Sequence, residues 1–298
     1  LPDKIGRYQI LSLHARTKPL EDEVSLNDLA IRTPGFSGAE LENLLNEAAI
    51  FTARSKLKKI TNESLDSAFE RITMGLSTSP LTNPSKQILI AYHEIGHALV
   101  AAHMPLAEKI DKISMIPRNR SVGGFTRFWP DEEAIESGLV TKAYLYTKLV
   151  VALGGRAAEI LIFGQSEITQ GAQSDLENVT QIAREMVTSF GFSKIGPISL
   201  TNSNNEIFLG RDLIKNKTDH ADKTSNQIDI EVRNLALKAL DEAIKILKDI
   251  RPVMDRLVNE LLQEETLYSK RFYEISGLQA NNNFPVMTDK GSSNTKLQ

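Results

Sequence analysis

The segment His93-Glu-Ile-Gly-His-Ala-Leu-Val-Ala-Ala-His103 carries three of the five histidines in a 298-residue chain, with a glutamate directly after the first. Residues four apart in a helix differ by about 40° in direction and about 6 Å in height, so His93 and His97 share a face and can grip one zinc ion. Glu94 stands one residue round from the first ligand, where its carboxylate can act as a base toward water without itself holding the metal. The spacing is that of HExxH.

His103 occupies the place of the last histidine in the metzincin pattern, but that pattern needs glycine where this chain has Val100, because the backbone must leave the helix there. Val100 is β-branched and disfavours such an exit. On a continued helix His103 lies about 9 Å further along the axis and about 120° round from His97, so it is read as a helix-end residue.

A catalytic zinc keeps three protein ligands and one open position. The chain has no cysteine, so the remaining ligand must be His, Asp or Glu. Glu159, Asp175 and His220 are the candidates, and spacing does not choose among them. Glu159 follows Arg156 by three residues and also fits an intrahelical ion pair. Asp175 falls at a helix start, where the macrodipole favours a carboxylate without any metal. His220 sits in a polar stretch that reads as surface.

Helices must position these groups. Ser37 and Glu40 make a capping box, followed by Leu41, Leu44, Leu45, Ala48 and Ala49 on one helical face. A second helix is expected from Thr61, with Leu65, Phe69 and Ile72 on one side. Gly75 to Pro84 gathers Gly, Ser, Thr, Asn and two prolines, which reads as a linker. The expected organisation is a helical subdomain over 1–78, a linker over 79–85, a second domain over 86–278 and a polar, disordered tail over 279–298.

Within the second domain the pattern predicts a helix over 86–104 carrying HExxH and a hairpin over 109–129 turning near 118–121. Residues 141–163 are again expected to be helical. A further helix, opened by a Ser174–Glu177 capping box, should run to about Phe190. Helices interrupted at Pro252 should run from 221 to about 262. The fold class expected is mainly α, with one small β-hairpin or sheet.

Composition is that of an ordinary soluble chain, 41% hydrophobic and 24% charged. A net charge of -3 with no basic run gives no electrostatic reason to expect nucleic acid. No run of 18 apolar residues is found. The chain begins at Leu1 rather than Met and is read as a fragment, with membrane segments expected upstream.

Six runs resemble the FtsH family of membrane-anchored ATP-dependent zinc metalloproteases: TPGFSGAELENLLNEAAIFTAR (33–54), AYHEIGHALVA (91–101), ALGGRAAEILIFG (152–164), TQGAQSDLENVTQIAREMV (169–187), GFSKIGP (191–197) and FLGRD (208–212). They occur in consistent order, and the likeness extends to about residue 278. The resemblance implies Zn²⁺ held by His93, His97 and Asp175, because the third ligand in that family is the aspartate of a TGASND-type motif. Here the motif reads Thr169-Gln-Gly-Ala-Gln-Ser-Asp175, with an extra Gln170 and with Gln173-Ser174 in place of Ser-Asn. It also implies Glu94 as the catalytic residue and Glu159 as a group beside the ligands, although a soluble peptidase with Glu159 on the zinc is a rival reading.

By the same resemblance, residues 1–78 form the helical lid of an AAA+ ATPase, Gly75 is the hinge into a mostly helical zinc peptidase domain, and the intact protein is a homo- or hetero-hexamer degrading unfolded polypeptides. ATP and Mg²⁺ are expected only with an ATPase lobe, since no GxxxxGK[ST] phosphate loop occurs in this chain. Residues 136–159 are most similar to cyanobacterial and plastid members, which implies a plastid thylakoid membrane, or a bacterial inner or thylakoid membrane as the alternative. An extended substrate is expected along the strand Gly123–Phe128. The competing function is a catalytically silent structural or chaperone subunit of the same hexamer, which loss of His93, Glu94, His97 or Asp175 would favour. All four are present.

Overall fold

The structure is a computed structural model that describes residues 1–76, 83–118, 123–130, 137–200 and 222–278. The first helices are α1 (Lys4–Ala15), α2 (Leu26–Arg32), α3 (Gly38–Arg54) and α4 (Asn62–Met74). Helix α3 starts where its capping box demands: the Ser37 side chain accepts from the Glu40 N–H, and Glu40 Oε2 accepts from the Ser37 N–H at 2.7 Å. Its leucines Leu41, Leu44 and Leu45 close over Leu11, Leu65 and Ala68 in a separate apolar core. Thr61 caps α4, and Gly75 ends it at φ 87°, a conformation side chains with a Cβ rarely adopt.

The larger body is built around α5 (Pro84–His103), whose stretch from Glu94 to Ala101 is buried throughout. Packed around it are β1 (Ile110–Ser114), β2 (Phe125–Phe128), α6 (Lys142–Ala152), α7 (Gly154–Phe163), α8 (Gln173–Thr188), α9 (Asp222–Asp249), α10 (Arg251–Glu264), β3 (Thr266–Tyr268) and α11 (Ser269–Ser276). Ile95, Leu99, Leu149, Ala157, Met254, Leu257 and Phe272 form the centre of its core. The strands make one antiparallel sheet in the order β2-β1-β3, so β2 is an edge strand among the described residues.

Several expectations shift. The HExxH helix begins at Pro84 rather than 86, because Asn83 caps it and proline's fixed φ suits a first helical turn. The helical stretch expected over 141–163 is present as two helices that meet at Leu153. Ser174 and Glu177 form no capping box: α8 already starts at Gln173, continuing out of a 3-10 turn at Gln170–Ala172, so Ser174 lies inside the helix. The break near Pro252 falls at Ile250, with the proline in the first turn of α10. Strand β3 and helix α11 were not expected. His220, the hairpin turn at 119–121, most of the linker and the 279–298 tail lie outside the described residues.

The two bodies meet where α4 covers the outer face of the sheet. Asp66 Oδ1 pairs with Arg127 Nη2 at 2.6 Å and with Arg32, and its Oδ2 with Lys112 Nζ at 3.3 Å. Glu70 Oε1 pairs with Lys112 at 2.7 Å and Arg127 at 3.3 Å, while Oε2 pairs with Arg118. Asp111 Oδ2 closes the cluster on Arg127 Nε at 2.5 Å. Phe69 lies beneath two of the guanidinium groups, 5.6 Å from Arg32 and 5.5 Å from Arg127.

Burial pushes the Asp66 carboxyl up, but Arg127, Arg32 and Lys112 outweigh it and pull it from an ordinary 3.8 to about 2. A carboxylate depressed by folding stabilises above its unfolded value and loses that contribution as pH falls through its folded value. Asp66→Asn should therefore cost roughly 2 kcal/mol at neutral pH. Denaturant unfolding at stepped pH should show the gap from wild type closing between pH 3.8 and 2. A gap that stays constant over that interval would contradict the assignment.

Candidate metal centre

The site begins with one close crossing. Gly96 on α5 and Gly154 at the start of α7 face each other so closely that a Cβ on Gly96 would lie 2.5 Å from the Gly154 carbonyl oxygen. A Cβ on Gly154 would in turn meet the Gly96 oxygen at 2.7 Å. Only two glycines let these backbones approach, and the approach is what breaks the chain between α6 and α7. It lays α7 directly against the histidine face of α5.

His93 then has its Nδ1 2.9 Å from Glu159 Oε1, and His97 has its Nδ1 2.8 Å from the Val151 carbonyl oxygen. An ionised carboxylate and a carbonyl can only accept, so each Nδ1 carries the proton and donates. In the neutral rings, which are the metal-binding form, the two Nε2 are then the lone-pair atoms. They face each other at 3.1 Å, and Asp175 Oδ2 lies 3.2 Å from His93 Nε2 and 3.5 Å from His97 Nε2.

Three electron-rich atoms at such separations repel unless a proton or a metal cation sits among them. Ligand bonds of about 2.1 Å in a tetrahedral zinc site set ligand atoms about 3.4 Å apart, close to the separations found here. The imidazole and carboxylate donors suit zinc in type as well as in geometry. His93, His97 and Asp175 are also the single group of metal-competent side chains among the described residues whose donor atoms fall within 4.8 Å of one another. The residues fit a zinc ion.

Electrostatics point the same way. Burial pushes the His93 imidazole down, yet hydrogen bonds to Asp175 and Glu159 lift it to about 10. For Asp175 burial is likewise outweighed, here by His93 and His97, and its carboxyl is held well below the ordinary range. The cradle calls for positive charge.

Glu159 is fully buried and does not join the ligand atoms. Its Oε1 orients His93, and its Oε2 accepts from the Arg156 guanidinium at 3.1 Å and the Thr169 N–H at 3.0 Å. Arg156 also donates to the Thr169 carbonyl at 2.7 Å, fastening the start of the loop that delivers Asp175. Thr169 caps the 3-10 turn through Gly171, and this turn accommodates the extra Gln170 before α8 presents Asp175 in its first turn. His103 ends α5 with its Nδ1 donating back to the Leu99 carbonyl at 2.8 Å, away from the cradle.

Glu94 is 6% exposed and pushed up from the ordinary carboxylate range by burial, which His93, His97 and a hydrogen bond from Thr126 only partly oppose. Thr126 Oγ1 on β2 lies 2.8 Å from Glu94 Oε2 and 3.0 Å from the Glu94 carbonyl oxygen. Sequence reasoning missed Thr126, since nothing in a Gly-Gly-Phe-Thr-Arg-Phe run marks a contact 32 positions away. It also missed Gly155, where a Cβ would sit 2.4 Å from His93 Cε1.

A helix-borne histidine pair, an aspartate from a later helix and a buried glutamate between them and an edge strand form a candidate HExxH metal centre in which the aspartate could complete the donor set. The chain belongs to peptidase family M41, whose family model matches residues 80–275, and the AAA+ lid domain model matches residues 23–67. It is 45% identical over 284 residues to "ATP-dependent zinc metalloprotease FtsH 3" of Synechocystis sp., covering 95% of this chain and 45% of that protein. It is 43% identical over 276 residues to "ATP-dependent zinc metalloprotease FTSH 1, chloroplastic" of Oryza sativa subsp. japonica, covering 92% and 40%. "ATP-dependent zinc metalloprotease FtsH" of Cyanidium caldarium is 42% identical over 275 residues, covering 92% and 44%. The chain thus spans less than half the length of these relatives.

The packing of His93 against Gly155 makes a direct prediction. Gly155→Ala should displace the imidazole and weaken zinc binding by about tenfold or more, as loss of a group that orients a ligand does. Chelator-competition titration would measure this, with circular dichroism confirming unchanged helix content. Unaltered affinity in a folded variant would show that the ring tolerates the shift.

Proposed function

We propose that this chain is the lid and peptidase portion of an ATP-dependent zinc metalloprotease, and that His93, His97 and Asp175 hold the zinc. The observation that carries the reading is the convergence of two bare imidazole nitrogens and one carboxylate oxygen at 3.1 to 3.5 Å beside a buried glutamate. When bound, zinc supplies acidity to water and Lewis-acid polarisation to a scissile carbonyl.

Glu94 takes the proton from the attacking water and passes it to the leaving amine. Burial raises its proton affinity, which favours taking the proton, and the same carboxyl then gives it up to the amine. Thr126 fixes which way the carboxylate points. Glu159 keeps His93 in the tautomer whose Nε2 faces the metal, and the Val151 carbonyl does the same for His97.

The substrate is an extended polypeptide adding to the open edge of β2, whose backbone runs past Glu94. Gly124 supports this path: a Cβ there would lie 2.9 Å from Glu94 Cγ and 2.3 Å from the Ser114 carbonyl, so the strand can pass this close only without a side chain. An extended backbone is recognised by main-chain hydrogen bonds, which favours unfolded polypeptides over folded ones.

In this reading residues 1–78 are the lid, 79–85 the linker and 86–278 the peptidase domain, with Gly75 as the hinge. ATP and Mg²⁺ would act on an ATPase lobe outside this chain, and assembly would be a homo- or hetero-hexamer. Among the described residues no helix is long and apolar enough to cross a membrane. Anchoring in a thylakoid or related membrane is proposed from the cyanobacterial and chloroplastic relatives.

Two variants test the roles separately. Glu94→Gln should keep one zinc per chain while hydrolysis of an unfolded protein such as casein falls by about 10²-fold or more. Asp175→Asn should instead lose zinc. Proteolysis surviving in the first variant would remove Glu94 from the reaction, and full zinc occupancy with normal activity in the second would overturn the ligand assignment.

A further inference from the structure

The sheet has two functional faces. Residues directly opposite in an antiparallel pair project to the same side, and successive residues along a strand project to opposite sides. Thr126 is opposite Ile113 and projects toward α5, where it meets Glu94; Arg127 is opposite Lys112 and projects toward α4. Neighbouring residues of one strand therefore touch the proposed catalytic carboxylate and the lid.

Like charges directly opposite each other oppose strand pairing. Here both are nearly buried, Lys112 at 9% and Arg127 at 8% exposure. The pair is tolerated because Asp66 and Glu70, one turn apart on α4, each contact both cations. Without these carboxylates only Asp111 would remain against Arg127, the two cations would repel, and the strand that moves apart is β2, which among the described residues has no second partner strand.

We infer that Asp66 and Glu70 of the lid are positioning residues for peptide hydrolysis: by clamping Arg127 to Lys112 they fix β2, and β2 fixes the Glu94 carboxylate through Thr126. The inference rests on Glu94 being the proton carrier proposed above. It gives the lid a role in the chemistry that does not depend on a nucleotide. Motion of α4 away from the sheet would loosen the base, and its return would reset it.

The test is steady-state hydrolysis of a short, unstructured fluorogenic peptide by the zinc-loaded 298-residue chain. Asp66→Asn combined with Glu70→Gln should lower kcat by about tenfold or more, as small misplacement of a reacting group does, with KM and zinc content unchanged. Thr126→Val should show the same loss and Thr126→Ser should restore activity, because only the hydroxyl is required. Joining the lid pair to Thr126→Val should cost little beyond the larger single effect, since both changes break one chain of contacts.

Unchanged kcat in a folded lid variant, loss confined to KM or zinc, or losses that multiply independently would each overturn the inference. Should the double lid variant fail to fold, Asp66→Asn alone in the same cycle with Thr126→Val decides it. Failure of the underlying reading looks different. Wild type that holds zinc without cleaving, or an active Glu94→Gln chain, would refute the peptidase assignment itself.

Discussion

The structure depends on a repulsion. Two imidazole nitrogens and a carboxylate oxygen are aimed at one point, and because both Nδ1 protons are committed elsewhere, only a further proton on an Nε2 or a metal cation relieves the crowding. Such a cluster is stable only around positive charge. Its cost in the absence of a cation is met by the packing that forces the groups together, so the surrounding fold has to be rigid wherever the three side chains originate.

That rigidity comes from unequal sources. His93 and His97 are fixed relative to each other by helix geometry alone, but their shared face would be open to solvent without the Gly96–Gly154 crossing. The crossing brings Glu159 and the Val151 carbonyl to the imidazoles, and Arg156 ties Glu159 to the loop that leads to Asp175. One buried carboxylate thereby links the orientation of His93 on α5 to the placement of Asp175 on α8. The close approach of the two glycine backbones is what makes the linkage short enough to be direct.

What the sequence disclosed follows from the range of each interaction. HExxH and the Ser37–Glu40 box span three or four residues, so periodicity exposes them. Asp175 lies 82 positions from His93, and spacing left it level with Glu159 and His220; family resemblance separated them. The Ser174–Glu177 signature misled because a 3-10 turn just before it had already begun the helix, a context that a four-residue pattern does not contain. The break at Leu153 was hidden for a related reason, since Gly154-Gly155 is compatible with a helix until another backbone is known to press on it. Strand β3, three residues long, has no periodicity to read, and it exists because β1 offers it an edge.

The seam between α4 and the sheet illustrates how burying charge sets geometry rather than strength. A close-packed apolar contact would hold two bodies together at least as well, because desolvating ions offsets much of what their pairing returns. Ion pairs differ in how sharply they depend on register. Asp66 and Glu70 lie on one face of α4, and Lys112 and Arg127 sit side by side across a strand pair, so four charges match in one alignment. Sliding α4 by a single residue turns each carboxylate through about 100° and leaves Lys112 and Arg127 facing each other with only Asp111 on the arginine. Apolar surfaces would slide with little penalty, whereas this seam either seats in register or separates. A seam of this kind therefore selects one register of α4 on the sheet, and the strand bearing Thr126 is held in that register with it.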